Sequence, residues 1–144
     1  LTRDQTPYRK DERERVRKCG AEVRSIDGQK IDWGDVVHGE TVNIEGDPPR
    51  LWVEGKDYPG AAFTRSLGDK SAEAIGVIAE PEIITKALTV NDEFLVIATD
   101  GIFEFLTNSY VMNVCATSLT PLEACERLTK AAYEQWLVHE KRTD

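Results

Sequence analysis

The sequence predicts one soluble domain that combines helices with strands. Its 144 residues are enough for a single hydrophobic core. Hydrophobic residues make up 40% and charged residues 31% of the chain, which is typical of a globular protein. Short apolar segments bounded by turn residues occupy the middle of the chain, and helix-start signals lie towards both ends. Together these observations favour a mixed α and β fold.

The first predicted element is a short surface helix over residues 11–20. Asp11 can cap it, Glu14 follows three residues later as in a capping box, and Gly20 provides the stop. Only Val16 and Cys19 could pack against a core, so we expect this helix to lie on the surface.

The middle of the chain predicts strands and one irregular excursion. Asp27-Gly28 and Pro59-Gly60 are turn signals, and residues 30–49 carry glycines, prolines and acids without sustained periodicity. We therefore expect a flap-like excursion at about residues 30–49. The predicted strands are 21–26, 50–53, 75–79, 82–87 and 93–99.

The segment at residues 93–99 has five apolar residues in succession, Phe94 to Ala98, which is typical of a strand buried on both faces. A helix over residues 109–116, which Thr107 can cap, is predicted after it. Thr120, Pro121 and Glu123 then form a capping box with proline at the first helical position.

The last predicted helix has an apolar face at three- or four-residue spacing, which indicates core packing. That face comprises Leu122, Cys125, Leu128, Ala132 and Trp136.

Charge and hydropathy exclude several classes of partner. Lys and Arg number 18 against 26 Asp and Glu, and the net charge of −8 disfavours nucleic acid. The basic residues at positions 9–18 alternate with acids, which favours a solvated helix face over a nucleic-acid site. No apolar run approaches the roughly 20 residues that span a bilayer, so no membrane partner is expected.

The cysteines and the start of the chain bear on compartment. Cys19, Cys115 and Cys125 are widely spaced without a CxxC pair, which favours reduced thiols. Residues 1–9 contain no apolar signal segment, so we expect a cytoplasmic protein, with the nucleus as an alternative. A first residue other than Met leads us to expect a piece of a longer protein. His38 and His139 lack the HExxH spacing, which favours surface or structural roles.

Asp100 is the clearest candidate metal ligand. Asp100-Gly101 follows the predicted buried strand, and a carboxylate at a rigid strand end is a suitable ligand for a hard cation. Asp-Gly is also a common hairpin turn, and the local sequence alone favours that interpretation.

Four segments, in order along the chain, resemble motifs of the type 2C protein phosphatases. EFLVIATDGIFEFLTN, at 93–108, resembles a hydrophobic strand followed by Ser/Thr-Asp-Gly, an aromatic residue and Leu-Ser/Thr-Asn. PGAAFTRSLGD, at 59–69, resembles the family's Pro-Gly-Leu-Ala-x-Ser-Arg-x-x-Gly-Asp. Residues 1–23 resemble the Leu-Ser/Thr-x-Asp-His-x-Pro segment with its Arg-rich helix. Arg50-Leu51-Trp52 matches an Arg-hydrophobic strand.

The resemblance implies the C-terminal part, residues 1–144, of a metal-dependent Ser/Thr protein phosphatase. The implied fold is an α+β antiparallel β-sandwich flanked by helices, the four-layer αββα arrangement. Two or more Mg2+ or Mn2+ ions would bind between the sheets, and a metal-activated water would hydrolyse phosphoserine and phosphothreonine in phosphoprotein substrates. Asp100 matches a metal ligand. Asp144 stands where a second ligand is expected, with a frayed terminal residue as the alternative.

Departures from the family pattern are also informative. The sequence has neither the Asp-Gly-His-Gly-Gly segment nor the early phosphate-binding Arg, so we expect a missing N-terminal half as partner and an inactive fragment. The alternative is a pseudophosphatase or regulatory protein-binding module with the same fold. Arg65, Gly68 and Asp69 match a family motif that we interpret as structural rather than catalytic.

Overall fold

The computed structural model describes residues 1–28, 31, 33, 36–37, 40–41 and 48–139. The chain forms two compact units, of which unit 1 runs from Leu1 to Thr85 and unit 2 begins at Lys86. Most of the flap-like excursion expected at residues 30–49 lies outside the described residues.

Unit 1 is built around a three-stranded antiparallel sheet in the order β1-β4-β5, and β2 and β3 pair separately. Its elements are α1 (Lys10–Lys18), β1 (Ala21–Arg24), β2 (Val36–Val37), β3 (Glu40–Thr41), β4 (Arg50–Val53), β5 (Pro59–Ala61) and α2 (Lys70–Glu73). The strands predicted at residues 21–26 and 50–53 are confirmed, the first with a shorter extent. Pro59-Gly60, predicted as a turn, instead begins β5.

The two faces of the sheet are covered in different ways. In β4, Leu51 enters the apolar core with Val16, while Trp52 points to the other face. There the Arg24 guanidinium stacks 4.3 Å from the centre of the Trp52 ring, and the indole N–H donates to the Arg24 carbonyl at 3.1 Å. Trp52 is therefore buried with its polar atom satisfied.

Helix α1 lies against the sheet through Val16, which is fully buried. The helix begins one residue earlier than predicted, with Arg9 rather than Asp11 at its N-cap. Cys19, expected to pack beside Val16, is exposed. Glu12, by contrast, is buried, so the inner face of α1 is partly ionic.

The strands predicted at residues 75–79 and 82–87 are wrong for this structure. Asp69 caps the short helix α2 by accepting from the Ala72 N–H at 3.1 Å, and the turn after α2 buries Ile75 and Val77 in the core. The apolar residues at alternate positions, Ile75 and Val77, are therefore buried by a turn rather than by a strand. Ile78 forms an isolated β-bridge with Arg65.

Unit 2 contains helices whose apolar faces form their own core. They are α3 (Asp100–Phe103), α4 (Asn108–Thr117) and α5 (Pro121–His139). The core consists of Leu106, Val111, Val114, Leu128 and Ala132. Thr107 caps α4 by accepting from the Tyr110 N–H at 3.2 Å, as predicted. The predicted capping box of α5 is also confirmed, because Thr120 accepts from the Glu123 N–H at 3.2 Å.

Helix α5 buries part of the face that its sequence indicates. Leu128 and Ala132 are in the core as predicted, and Trp136 is half-buried with its ring centroid 6.0 Å from that of Phe105. Nearer the start of the helix Ala124 is buried, while Leu122 is 68% exposed and Cys125 is also exposed. Among the described residues, no helix is both long enough and apolar enough to cross a bilayer.

The buried strand predicted at residues 93–99 is not formed in this structure. The segment carries no assigned strand, and Ile97 is 87% exposed; only Val96 packs against the helical core. A strand buried on both faces needs neighbours beside it and layers above and below it. The described residues provide no strand paired with this segment.

Gly76 allows α1 to approach the turn after α2. Its φ is +97°, and a Cβ placed there would lie 2.7 Å from the Cys19 Cβ and 3.1 Å from the Val16 Cα. We expect Gly76→Ala to destabilise unit 1 by about 3 kcal/mol, through overpacking added to backbone strain. Urea denaturation measures this. Gly55, with φ +68° and no atom within 4 Å, is the control, and Gly55→Ala should cost only about 1 kcal/mol. Equal costs would show that close approach at Gly76 is unimportant.

Candidate functional site

Asp100 is the first residue of the short helix α3, with Thr99 as its N-cap. Its Oδ1 accepts the N–H of Gly101 at 2.9 Å, and its side chain is exposed. Ile102, two positions after Asp100, packs against the core of unit 2 and thereby anchors the helix. Asp100 therefore presents a solvent-accessible carboxylate from a helix start, rather than from the end of a paired strand.

Of the two predicted metal ligands, Asp100 is among the described residues and Asp144 is not. Among the described residues, Asp100 belongs to no group of three or more potential metal ligands. Within the described part of the chain, one group of three carboxylates has such spacing: Asp11, Glu12 and Glu82, whose oxygens lie within 4.8 Å of one another. This group is in unit 1.

These three carboxylates belong to an arginine–carboxylate network, which is completed by Arg9, Arg15 and Arg65. Arg9 binds Glu82 through two guanidinium nitrogens, at 2.8 and 2.7 Å, and Asp11 at 2.6 Å. Its fork thus joins the start of α1 to the segment after residue 80. Such two-point contacts fix orientation as well as charge.

Glu12 is the innermost member of the network, with 1% of its surface exposed. Arg15 donates to it at 2.5 Å and Arg65 at 2.7 Å, and the Thr64 hydroxyl also donates to it. Arg65 further donates to the Glu80 carbonyl at 2.8 Å. The network therefore joins helix α1 to the chain on both sides of the bridge between Arg65 and Ile78.

The charges of the network stabilise the ionised carboxylates. Burial raises the pKa of Glu12, but the hydrogen bonds from Arg65, Arg15 and Thr64 outweigh it and lower the pKa to about 2. The hydrogen bond from Arg9 lowers the pKa of Glu82 to about 2, and that of Asp11 to about 2. Arg9 shows the reciprocal effect, since its hydrogen bond with Glu82 raises its pKa.

The network is a structural ionic cluster rather than a metal centre. Glu12 already accepts two guanidinium groups, and Glu82 is bound by both nitrogens of the Arg9 fork. A divalent cation would have to displace those donors while lying beside three arginines, which adds like-charge repulsion. Asp100 remains the better candidate ligand.

The residues of the predicted Arg65 motif make structural contacts. Arg65 binds Glu12, and Asp69 caps α2 and accepts from the Ser71 hydroxyl at 2.8 Å. Sequence reasoning missed Glu12 because it interpreted the charged residues at 9–18 as a solvated face. The available signal was the Arg65 motif itself, because an arginine with a structural role needs a carboxylate partner.

Comparison with known proteins identifies the family. The family model described as protein phosphatase 2C matches residues 1–139. A relative from Arabidopsis thaliana, named probable protein phosphatase 2C 35, is 50% identical over 147 residues, covering 100% of this chain and 42% of the relative. A rice relative, probable protein phosphatase 2C 73, is 31% identical over 94% of this chain and 29% of its own length. The chain therefore belongs to the protein phosphatase 2C family and spans less than half the length of these relatives.

Loss of the Glu12 charge should weaken unit 1 in a pH-dependent way. Its pKa falls from 4.5 to about 2 in the folded state, so it stabilises the fold above pH 4.5 and loses that effect as pH falls towards 2. We expect Glu12→Gln to cost about 3 kcal/mol at pH 7, with the gap narrowing below pH 4.5. Urea denaturation at several pH values measures this. Glu14→Gln, on the exposed side of α1, is the control and should cost under about 1 kcal/mol at any pH. A pH-independent cost at position 12 would contradict the charge argument.

Proposed function

We propose that this chain is the C-terminal part of a metal-dependent protein Ser/Thr phosphatase that hydrolyses phosphoserine and phosphothreonine in phosphoprotein substrates. The observation that carries the proposal is the exposed Asp100 carboxylate at the start of α3, within a chain whose residues 1–139 match the family. The names of the relatives, both protein phosphatases 2C, support the same activity.

Asp100 suits a hard divalent cation in its donor chemistry. It offers carboxylate oxygens, which Mg2+ and Mn2+ prefer, and its side chain has room for a ligand. The Gly101 N–H engages one oxygen and thereby orients the group. We propose Asp100 and Asp144 as metal ligands. A bound Mg2+ or Mn2+ would neutralise phosphate charge and make a coordinated water molecule more acidic.

The apolar surface of residues 93–99 supports the proposal that further sequence completes the domain. Ile97 and neighbouring apolar side chains are exposed, and the segment has no strand partner among the described residues. Just before it, the Asp92 N–H donates to the Thr89 carbonyl at 3.0 Å, which forms a turn suited to a hairpin. We propose that residues 82–87 and 93–99 become strands of the four-layer sandwich when the N-terminal half of the domain is present.

A second candidate function is a pseudophosphatase or regulatory binding module with the same fold. The observation that favours it is that, among the described residues, Asp100 belongs to no group of three potential metal ligands. An enzyme needs further ligands from the rest of the domain, whereas a binding module does not. The presence of the Asp-Gly-His-Gly-Gly segment in the longer protein would separate the two.

The activity of a full-length chimera tests the proposed function. In this chimera the chain replaces the matching region of the Arabidopsis thaliana relative. We expect Mn2+-dependent hydrolysis of a phosphothreonine peptide, and a loss of about 100-fold or more in kcat/KM for Asp100→Asn. Asparagine keeps an oxygen for the Gly101 N–H, so the loss would reflect the missing negative charge.

Glu126→Gln is the matched control, since it removes one negative charge from an exposed position of α5. It should change kcat/KM by less than about threefold. An inactive but folded chimera would favour the binding module, and a fully active Asp100→Asn chimera would refute the role of Asp100.

A further inference from the structure

The connection between β1 and β4 is unusually long for strands that pair as neighbours. The two strands are antiparallel with Arg24 opposite Arg50, yet residues 25–49 separate these positions along the chain. Neighbouring antiparallel strands are usually joined by a few residues, and longer connections are typically functional. Within this one, β2 and β3 pair with each other and Val36 lies opposite Thr41.

Trp33 contacts helix α1 from within that connection. The Arg13 guanidinium carbon lies 4.0 Å from the centre of the Trp33 ring, and that of Arg17 lies 5.4 Å from it. Both distances are within the range of cation–π attraction, and the shorter contact is the stronger one. One indole therefore engages two cations that are adjacent on the helix surface.

Arg13 is held in place to receive the indole. Its guanidinium donates to the Pro7 carbonyl at 2.7 Å and to the Tyr8 carbonyl at 2.9 Å. These bonds fix the guanidinium group, which then offers its face for stacking. Arg13 and Arg17 are four residues apart on α1, a spacing at which like charges repel, and the electron-rich indole offsets that repulsion.

We propose that Trp33 docks the described part of the β1–β4 connection on helix α1 by stacking chiefly on Arg13, with Arg17 as a more distant second cation. Val36, the first residue of β2, is three positions after Trp33, so its Cα lies within about 11 Å of the Trp33 Cα. The contact thus holds the β2–β3 pair close to α1.

Substitutions at position 33 separate stacking from simple apolar packing. Phenylalanine keeps an aromatic face for the guanidinium groups, leucine keeps apolar bulk without that face, and alanine removes both. Lysine at position 13 keeps the charge but cannot both donate to two carbonyls and stack flat. Arg17→Lys, at the more distant cation, is the matched control for Arg13→Lys.

Hydrogen exchange at the amides of β2 and β3 measures docking in the chain and in the full-length chimera. We expect Trp33→Ala and Trp33→Leu to speed exchange of these amides by about tenfold, Arg13→Lys to have a similar effect, and Trp33→Phe and Arg17→Lys to change it by less than about threefold. Exchange at β1 and β4 should stay unchanged in every variant, which distinguishes undocking from general unfolding.

Three results would overturn the proposal. Unchanged β2–β3 exchange in Trp33→Ala would show that the indole does not dock the connection. Equal protection in Trp33→Leu and the parent chain would assign the contact to apolar packing. Faster exchange throughout unit 1 in Trp33→Ala, together with an unaffected Arg13→Lys variant, would make Trp33 a general stability residue. The readout is independent of catalysis, so failure of the phosphatase activity does not affect it.

Discussion

The Glu12 carboxylate is almost completely buried and remains ionised because Arg15, Arg65 and Thr64 surround it. Removing a carboxylate from water is costly, and only close donors from separate parts of the chain offset that cost. Glu12 lies one helical turn before Val16, so the ionic contacts and the apolar core position the same face of α1. The placement of the Arg65 motif depends on this arrangement, as does the turn that buries Val77.

Features set by neighbouring residues could be predicted from the sequence. The caps at Thr107 and Thr120 involve side chains and amides three residues apart, and both are present. The strand over residues 50–53 and the stop at Gly20 follow equally local signals. Glu12 could not be predicted in this way, because its partners Thr64 and Arg65 lie more than 50 residues away along the chain.

The strand predicted at residues 93–99 is absent from the structure for a different physical reason. A run of apolar residues indicates that a segment is buried, but the strands and layers that bury it must come from elsewhere in the protein. In this structure the apolar run is largely exposed, and the Ile97 side chain is 87% exposed. The pattern and the structure agree if the covering layers come from sequence outside this chain, as the coverage of 42% of the Arabidopsis thaliana relative allows.

The candidate site was also predicted only in part from the sequence. The motif around Asp100 identified the carboxylate from sequence, and the structure gives its setting at a helix start. The second proposed ligand, Asp144, lies outside the described residues, and the sequence contains no further motif for the remaining ligands. We propose that this chain supplies one part of a phosphatase domain and that its apolar segment, residues 93–99, forms a buried strand only in the completed domain.

Hydrogen exchange at residues 94–98, compared between the chain alone and the full-length chimera, tests whether this segment becomes a buried strand. We expect rapid exchange in the chain alone and exchange slowed by at least about 100-fold in the chimera, where these amides would pair within a sheet. Rapid exchange in both proteins would contradict the proposed strand, because the segment would then remain unpaired in the complete domain.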